Sequence, residues 1–161
     1  MRESMENDQT LLATLARQEE ELQFTAFTNE TALELGLRLV DTAKRQGKAV
    51  AVDICRNDLQ LFHYAMSGMS GHNADLIRRK RNVVKRYGRS SYCVATHYRI
   101  RGMAFDERTK LDPRDCAAEG GGFPLIIKSV GVVGALTVSG MPDVEDHVLI
   151  VSELKSFLAQ S

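Results

Sequence analysis

The sequence predicts an α+β domain in which an antiparallel sheet, built from hairpins, is flanked by helices. Three observations predict it. Short segments of alternating or continuous apolar residues come in two pairs, at 48–66 and 125–139. Each pair is joined by only a few turn-forming residues, so hairpins and not crossover helices connect the strands. Longer segments with apolar residues three and four apart lie before, between and after the pairs.

Residues 8–22 read as the first helix, with a stripe of Leu11, Leu12, Leu15, Ala16 and Leu22. Glu19, Glu20 and Glu21 sit at its C-terminal end, against the helix dipole, so this helix needs tertiary support. Thr28 is placed to cap a second helix over 29–46, with Ala32, Leu35, Leu39 and Ala43 inward and Gly47 at the left-handed exit. The strands 48–55 and 59–66 follow, joined by Arg56-Asn57-Asp58. Ser67 to Gly71 reads as a loop, and a long helix over 73–88 ends at Gly88. Ser90-Ser91 caps a helix over 92–101, stopped by Gly102, and 103–123 reads as irregular. Strands at 125–128 and 132–139 are close enough for a second hairpin. Pro142, with Asp143, Glu145 and Asp146 behind it, suits the start of a last helix running to about 159.

The bulk numbers agree with one domain. A chain of 161 residues buries roughly 68–70% of its extended surface, enough for a core without disulfides. No stretch approaches the ~18–20 apolar residues of a membrane helix, and the polar start Met1 to Glu6 resembles no secretory signal. Cys55, Cys93 and Cys116 are scattered and odd in number, so reduced thiols and a cytoplasmic setting are expected. Basic and acidic residues balance at 21 each, which argues against electrostatic binding to a membrane surface or to nucleic acid.

Several polar residues fall where a core face is expected. On the helix 73–88, about 100° per residue puts Asn73 and Lys80 in the middle of the face made by Leu76, Ile77, Val83, Val84 and Tyr87. Such a lysine is paired, snorkels to water, or serves an anionic ligand or a subunit contact. The seven basic residues of 78–89 are either a solvated face or an acidic-ligand site, and no nucleic-acid motif accompanies them. His147 lies within the apolar face of the last helix, as a hydrogen-bonded core residue or a ligand contact. No histidine or cysteine pair has metal-ligand spacing, although a single axial haem histidine needs no local motif. Gly120-Gly121-Gly122 precedes a strand, so it is no Rossmann or Walker loop; it reads as a turn or as part of a ligand mouth. Cys93, at a helix start, is either a small buried hydrophobe or a thiol of lowered pKa. Asp112, Asp115 and Glu119 surround the glycine loop, and nothing in their spacing selects one as an acid or base.

The segment Gly121-Gly122-Phe123-Pro124-Leu125-Ile126, then 131–140 (GVVGALTVSG), then Asp146-His147, resembles the haem-degrading or haem-binding domain family that includes HbpS-like and GlcG-like proteins. Asn73, Arg79 to Val84, Ser90-Ser91-Tyr92 and Gly140-Met141-Pro142 resemble a small stand-alone branch of it. The resemblance covers about 29–159. It implies a profilin-like fold, a homo-oligomer, and a small-molecule ligand with haem as the named candidate. Relatives are expected to carry a histidine before the glycine pair and an aromatic inside the basic helix, where this chain has Glu119-Gly120 and Leu76. The family's threonine contact to haem would correspond to Thr137. With the pattern above, the ligand-binding set becomes Asn73, Arg79, Lys80, Asn82, Ser91, Gly121, Gly122, Phe123 and His147. Three functions follow as expectations: an oligomeric small-anion or haem binder, a haem-degrading enzyme, or a non-catalytic assembly protein.

Overall fold

The computed structural model describes the backbone of residues 2–160 and side chains from residue 6 to 160. Its elements are α1 (Arg2–Glu21), α2 (Asn29–Arg45), β1 (Ala51–Arg56), β2 (Leu59–Ala65), α3 (Gly71–Tyr87), α4 (Ser91–Ile100), α5 (Phe105–Thr109), β3 (Gly122–Ile127), β4 (Gly131–Ser139) and α6 (Asp143–Ala159). One four-stranded sheet runs in the order β2-β1-β4-β3, with every neighbouring pair antiparallel. The α+β class, the two hairpins and the flanking helices are those expected.

Local chemistry sets the boundaries. Thr28 and Thr31 cap α2 reciprocally, each hydroxyl accepting the other's backbone N–H at 3.1 Å. The same device moves the start of α3 forward to Gly71: Ser70 caps it, and the Asn73 Oδ1 accepts the Ser70 N–H at 3.0 Å. Asn57 and Asp58 both take positive φ, 50° and 67°, the geometry of a tight hairpin turn. Two features differ from expectation. The irregular stretch contains α5, and β3 begins at Gly122, so the glycine run leads straight into the sheet.

The sheet carries two unlike faces. Val52 and Ile54 of β1, with Val50 just before it, meet Leu35 and Leu39 of α2 and Ile150 and Leu154 of α6 in the main core. On the opposite face α3 lies across β4 and β3. There Asp53 of β1 is saturated by the protein itself: it binds Arg81 at 3.1 Å, Gln60 at 2.6 Å, His63 at 3.0 Å and the Cys55 thiol at 3.1 Å. The two sheet edges also differ. Phe24, in the link between α1 and α2, pairs with β3 at Ile127, its N–H reaching the Ile126 carbonyl at 2.8 Å. No other strand pairs with β2 on its outer side among the described residues.

Candidate functional site

The glycine loop is where α3, α4, α6 and the sheet converge. Lys80 is completely buried there. Its Nζ donates to the Val138 carbonyl at 3.0 Å and to Asp146 Oδ2 at 3.2 Å. Asp146 Oδ1 accepts the Met141 N–H at 3.1 Å. Gly121 makes room for this ammonium: at its φ of +125° a Cβ would stand 2.5 Å from the Val138 oxygen and 2.7 Å from the Lys80 Nζ. Gly122 is equally tight, a Cβ there lying 2.9 Å from Val84, while its N–H donates to the Ser91 hydroxyl at 2.8 Å. The glycines thus cradle the protein's own lysine. Burial pushes the Asp146 carboxyl up to about 6, against the pull of Lys80.

His147 is buried on the far side of the same junction. Its Nε2 donates to Gln18 Oε1 of α1 at 2.8 Å, an assignment that follows from the amide oxygen being an acceptor. Its ring meets Tyr92 edge-on at 5.1 Å and Phe123 at 6.0 Å. Burial lowers its pKa to about 4, so the imidazole is neutral at pH 7. Nδ1 has no hydrogen-bond partner, and neither has the hydroxyl of the fully buried Thr137.

The structure therefore brings Lys80, Ser91, Gly121 and Gly122 together, with Phe123 and His147 next to them, but inside the chain and not around an open groove. Their polar atoms are largely taken by protein partners, which is why the face reads as polar in sequence and dry in space. Asn73 caps α3 and reaches the Ser139 hydroxyl at 3.4 Å. Arg79 binds Asp75 at 3.0 Å, and Asn82 holds the Asp115 carbonyl at 2.7 Å. Asn73 and Asn82 thus tie α3 to its surroundings at separate points, while the Arg79 pair lies within the helix.

A roomy opening lies elsewhere. A cavity of about 830 Å³ opens beside the contact between α1 and α4, within the range of roughly 300–1,000 Å³ that small-molecule sites occupy. Leu12, Ala13 and Ala16 of α1 form one wall; Val94, His97, Tyr98 and Arg101 of α4 form the other, with Tyr87, Arg89 and Cys93 at the inner end. Two small alanines opposite larger groups leave the space. Glu19 fixes the inner end: its Oε1 accepts from Arg89 Nε at 3.0 Å and from the Ser90 N–H at 3.2 Å. Burial raises the Glu19 carboxyl, and Arg89 opposes that. Arg101 donates to His97 Nδ1 at 2.8 Å, which leaves the ring proton on Nε2. Burial, then the Arg101 and Arg89 charges, lower the His97 pKa.

The Cys93 thiol is pushed up to about 11 by burial and by the Glu19 charge. Of the two readings of Cys93 this favours the small buried hydrophobe: the helix N-terminus is outweighed by desolvation. Among the described residues no three His, Cys, Asp or Glu side chains converge as a metal site, and no helix is long and apolar enough to cross a membrane. Sequence reasoning missed the cavity. Arg89 was visible only as part of a charge run, and the signal for a void was the pair Ala13 and Ala16 beside leucines.

Comparison with known proteins places this geometry. The profile of the family described as "Haem degrading protein HbpS-like" matches residues 27–155. A UPF0303 protein of Streptomyces coelicolor is 48% identical over 149 residues, covering 92% of this chain and 94% of the relative. Among solved structures, the Ybr137w protein superposes with a TM-score of 0.85 at 28% identity, covering 92% of this chain and 88% of that one. A structure described as a PduOC:heme complex superposes with a TM-score of 0.68 at 16% identity, over 81% and 94% of the two chains. At that identity the last likeness bears on the fold alone.

Proposed function

The chain belongs to the HbpS-like haem-degrading protein family, and from that premise we propose that it binds a flat apolar molecule bearing carboxylates between α1 and α4. Haem is the named candidate. The observation that carries this reading is the joint presence, in one cavity of about 830 Å³, of apolar walls, two guanidiniums and an imidazole. Leu12, Ala16 and Val94 would pack against the ring. Arg89 and Arg101 would take the two propionates, since guanidinium–carboxylate pairs are the strong, directional ones. His97 is the side chain in the cavity that suits iron, and bound haem would supply redox and oxygen chemistry of its own. A carboxylate that engaged Arg101 would free His97 Nδ1 to carry the ring proton, and His97 would then be the residue to hold the iron.

The glycine-loop residues support this site from behind. Ser91 and Lys80 hold the start of α4 and the end of the sheet in register, and His147 ties α6 to α1 through Gln18. The test is a haemin titration followed by absorption spectroscopy, on the wild type and on Arg101→Ala, His97→Ala and Ala13→Trp. A saturable, stoichiometric Soret shift that each substitution weakens supports the site. A shift no larger than that of a control protein sinks the haem reading. Adding a reductant in air to the complex separates a binder, which keeps its Soret band, from a haem-degrading enzyme, which loses it.

A further inference from the structure

A second opening lies away from α1 and α4, on the side of the sheet that α3 covers. It is a cleft of about 220 Å³ where the C-terminal half of α3 meets β1 and β4 beside the Asn57-Asp58 turn. We propose that this cleft binds a short aliphatic carboxylic acid, its carboxylate on Arg81 and Lys85 and its chain on Val132 and Ala135.

Arg81 is the anchor. Its Nη1 donates to Asp53 Oδ1 at 3.1 Å and lies 3.6 Å from the Cys55 sulfur. Asp53 is 1% exposed and meets three further side chains, so the guanidinium is held from below by a fixed carboxylate. The Arg81 side chain stays 29% exposed, and among the described residues its Nε and Nη2 have no hydrogen-bond partner. Those two nitrogens form one edge of the guanidinium fork, which a carboxylate matches with two parallel bonds.

Lys85 follows one turn later on α3 and lines the same cleft. It already holds a carboxylate there: its Nζ donates to Asp58 Oδ1 at 2.7 Å. The two side chains are 64% and 75% exposed, and ion pairs in that setting are weak and screened by salt. The Asp58 carboxylate marks where an acid group is received, and it yields to one that Arg81 grips as well.

Apart from Asn57 and the Cys55 thiol, the remaining side chains of the cleft are apolar. Ala135 stands across from Cys55 on the neighbouring strand, and Val132 is 43% exposed. Gly134 lets β4 close on β1, since a Cβ there would collide with the Cys55 carbonyl and the Arg56 backbone. The space is smaller than the roughly 300–1,000 Å³ of sites for drug-sized molecules. Such a wall gives little to the extra oxygens of phosphate, whereas each CH2 buried against it is favourable.

The experiment is a titration of the full-length protein with butyrate, followed by calorimetry and by the amide NMR spectrum. Saturable binding of one butyrate per chain is expected, with shifts at the amides of Asn57, Asp58 and 132–135. Acetate, which lacks the chain, and inorganic phosphate are each expected to bind at least about tenfold more weakly, roughly 1.4 kcal/mol. Arg81→Gln should weaken butyrate by a similar factor. Because that change also strips the buried Asp53 of its cation, two surface variants carry the test independently of folding. Lys85→Ala should weaken binding severalfold. Asp58→Asn removes the resident carboxylate, suits the positive φ of that position and should strengthen binding. An absence of saturable binding overturns the proposal. So does phosphate or acetate bound as tightly as butyrate, an affinity indifferent to Lys85→Ala and Asp58→Asn, or shifts confined to α1 and α4.

Discussion

The Lys80 ammonium and the Asp146 carboxylate meet at 3.2 Å with each side chain only 1% exposed. Two charges so placed are held by geometry, and losing one strands the other. Lys80→Met should therefore destabilise the protein by about 3 kcal/mol or more at pH 8. The loss should shrink at pH 5, where an unpaired buried carboxyl takes up a proton and becomes neutral. Urea unfolding at both pH values reads this out. An equal loss at the two would mean that Asp146 finds another cation.

Gly121→Ala tests the cradle. The substitution meets both a positive φ and the atoms of Val138 and Lys80. A cost above about 2 kcal/mol is expected, seen as a fall in Tm of several degrees. Gly131 offers the control, since its φ of +113° is equally foreign to alanine but no atom lies within 4 Å. Gly131→Ala should lose less, by the difference between strain alone and strain with collision.

His147 predicts the slope of stability with pH. Its folded pKa of about 4 lies below the ordinary 6.5. Between those values the unfolded chain binds the extra proton, so stability rises with pH across this window and is lost on acidification. His147→Gln keeps a donor for Gln18 and removes that titration. Relative to the wild type, the variant should lose about 2–3 kcal/mol less between pH 6.5 and 4.5. Asp146 acts in the opposite sense, because its raised pKa of about 6 makes the folded state the better proton binder from 3.8 upward. In the wild type the two neighbours largely cancel, and replacing either one exposes the other.

The three thiols should separate by reactivity. Burial pushes Cys55 up to about 12 and Cys93 up to about 11. Cys116 is the least buried of the three. Alkylation at pH 8 followed by peptide mass mapping should label Cys116 first and leave Cys55 and Cys93 slow until the protein is unfolded. Early labelling of Cys93 would show that the cavity between α1 and α4 admits reagents to its inner end.

The hairpins were legible in sequence because their signals are local: alternation within each strand and turn residues at Asn57-Asp58 between two of them. The capped starts of α2 and α4 were legible for the same reason. The start of β3 was not, because Gly122 and Pro124 carry no strand signal and are extended only by pairing with Thr137 and Ala135. Lys80 stood out as a charge on a core stripe. Its acceptors did not, since Val138 and Asp146 lie 58 and 66 residues away. The cavity was hidden more deeply, because a void is a relation between two helices and leaves only small residues as its trace.

The family match begins at residue 27, whereas one wall of the cavity comes from Leu12, Ala13 and Ala16 of α1. The other wall, with Arg89, His97 and Arg101, lies inside the matched stretch. In the proposed site the charged and nitrogen contacts would therefore be common to the fold, while the apolar wall of α1 would be free to differ between relatives that share the sheet and its buried lysine.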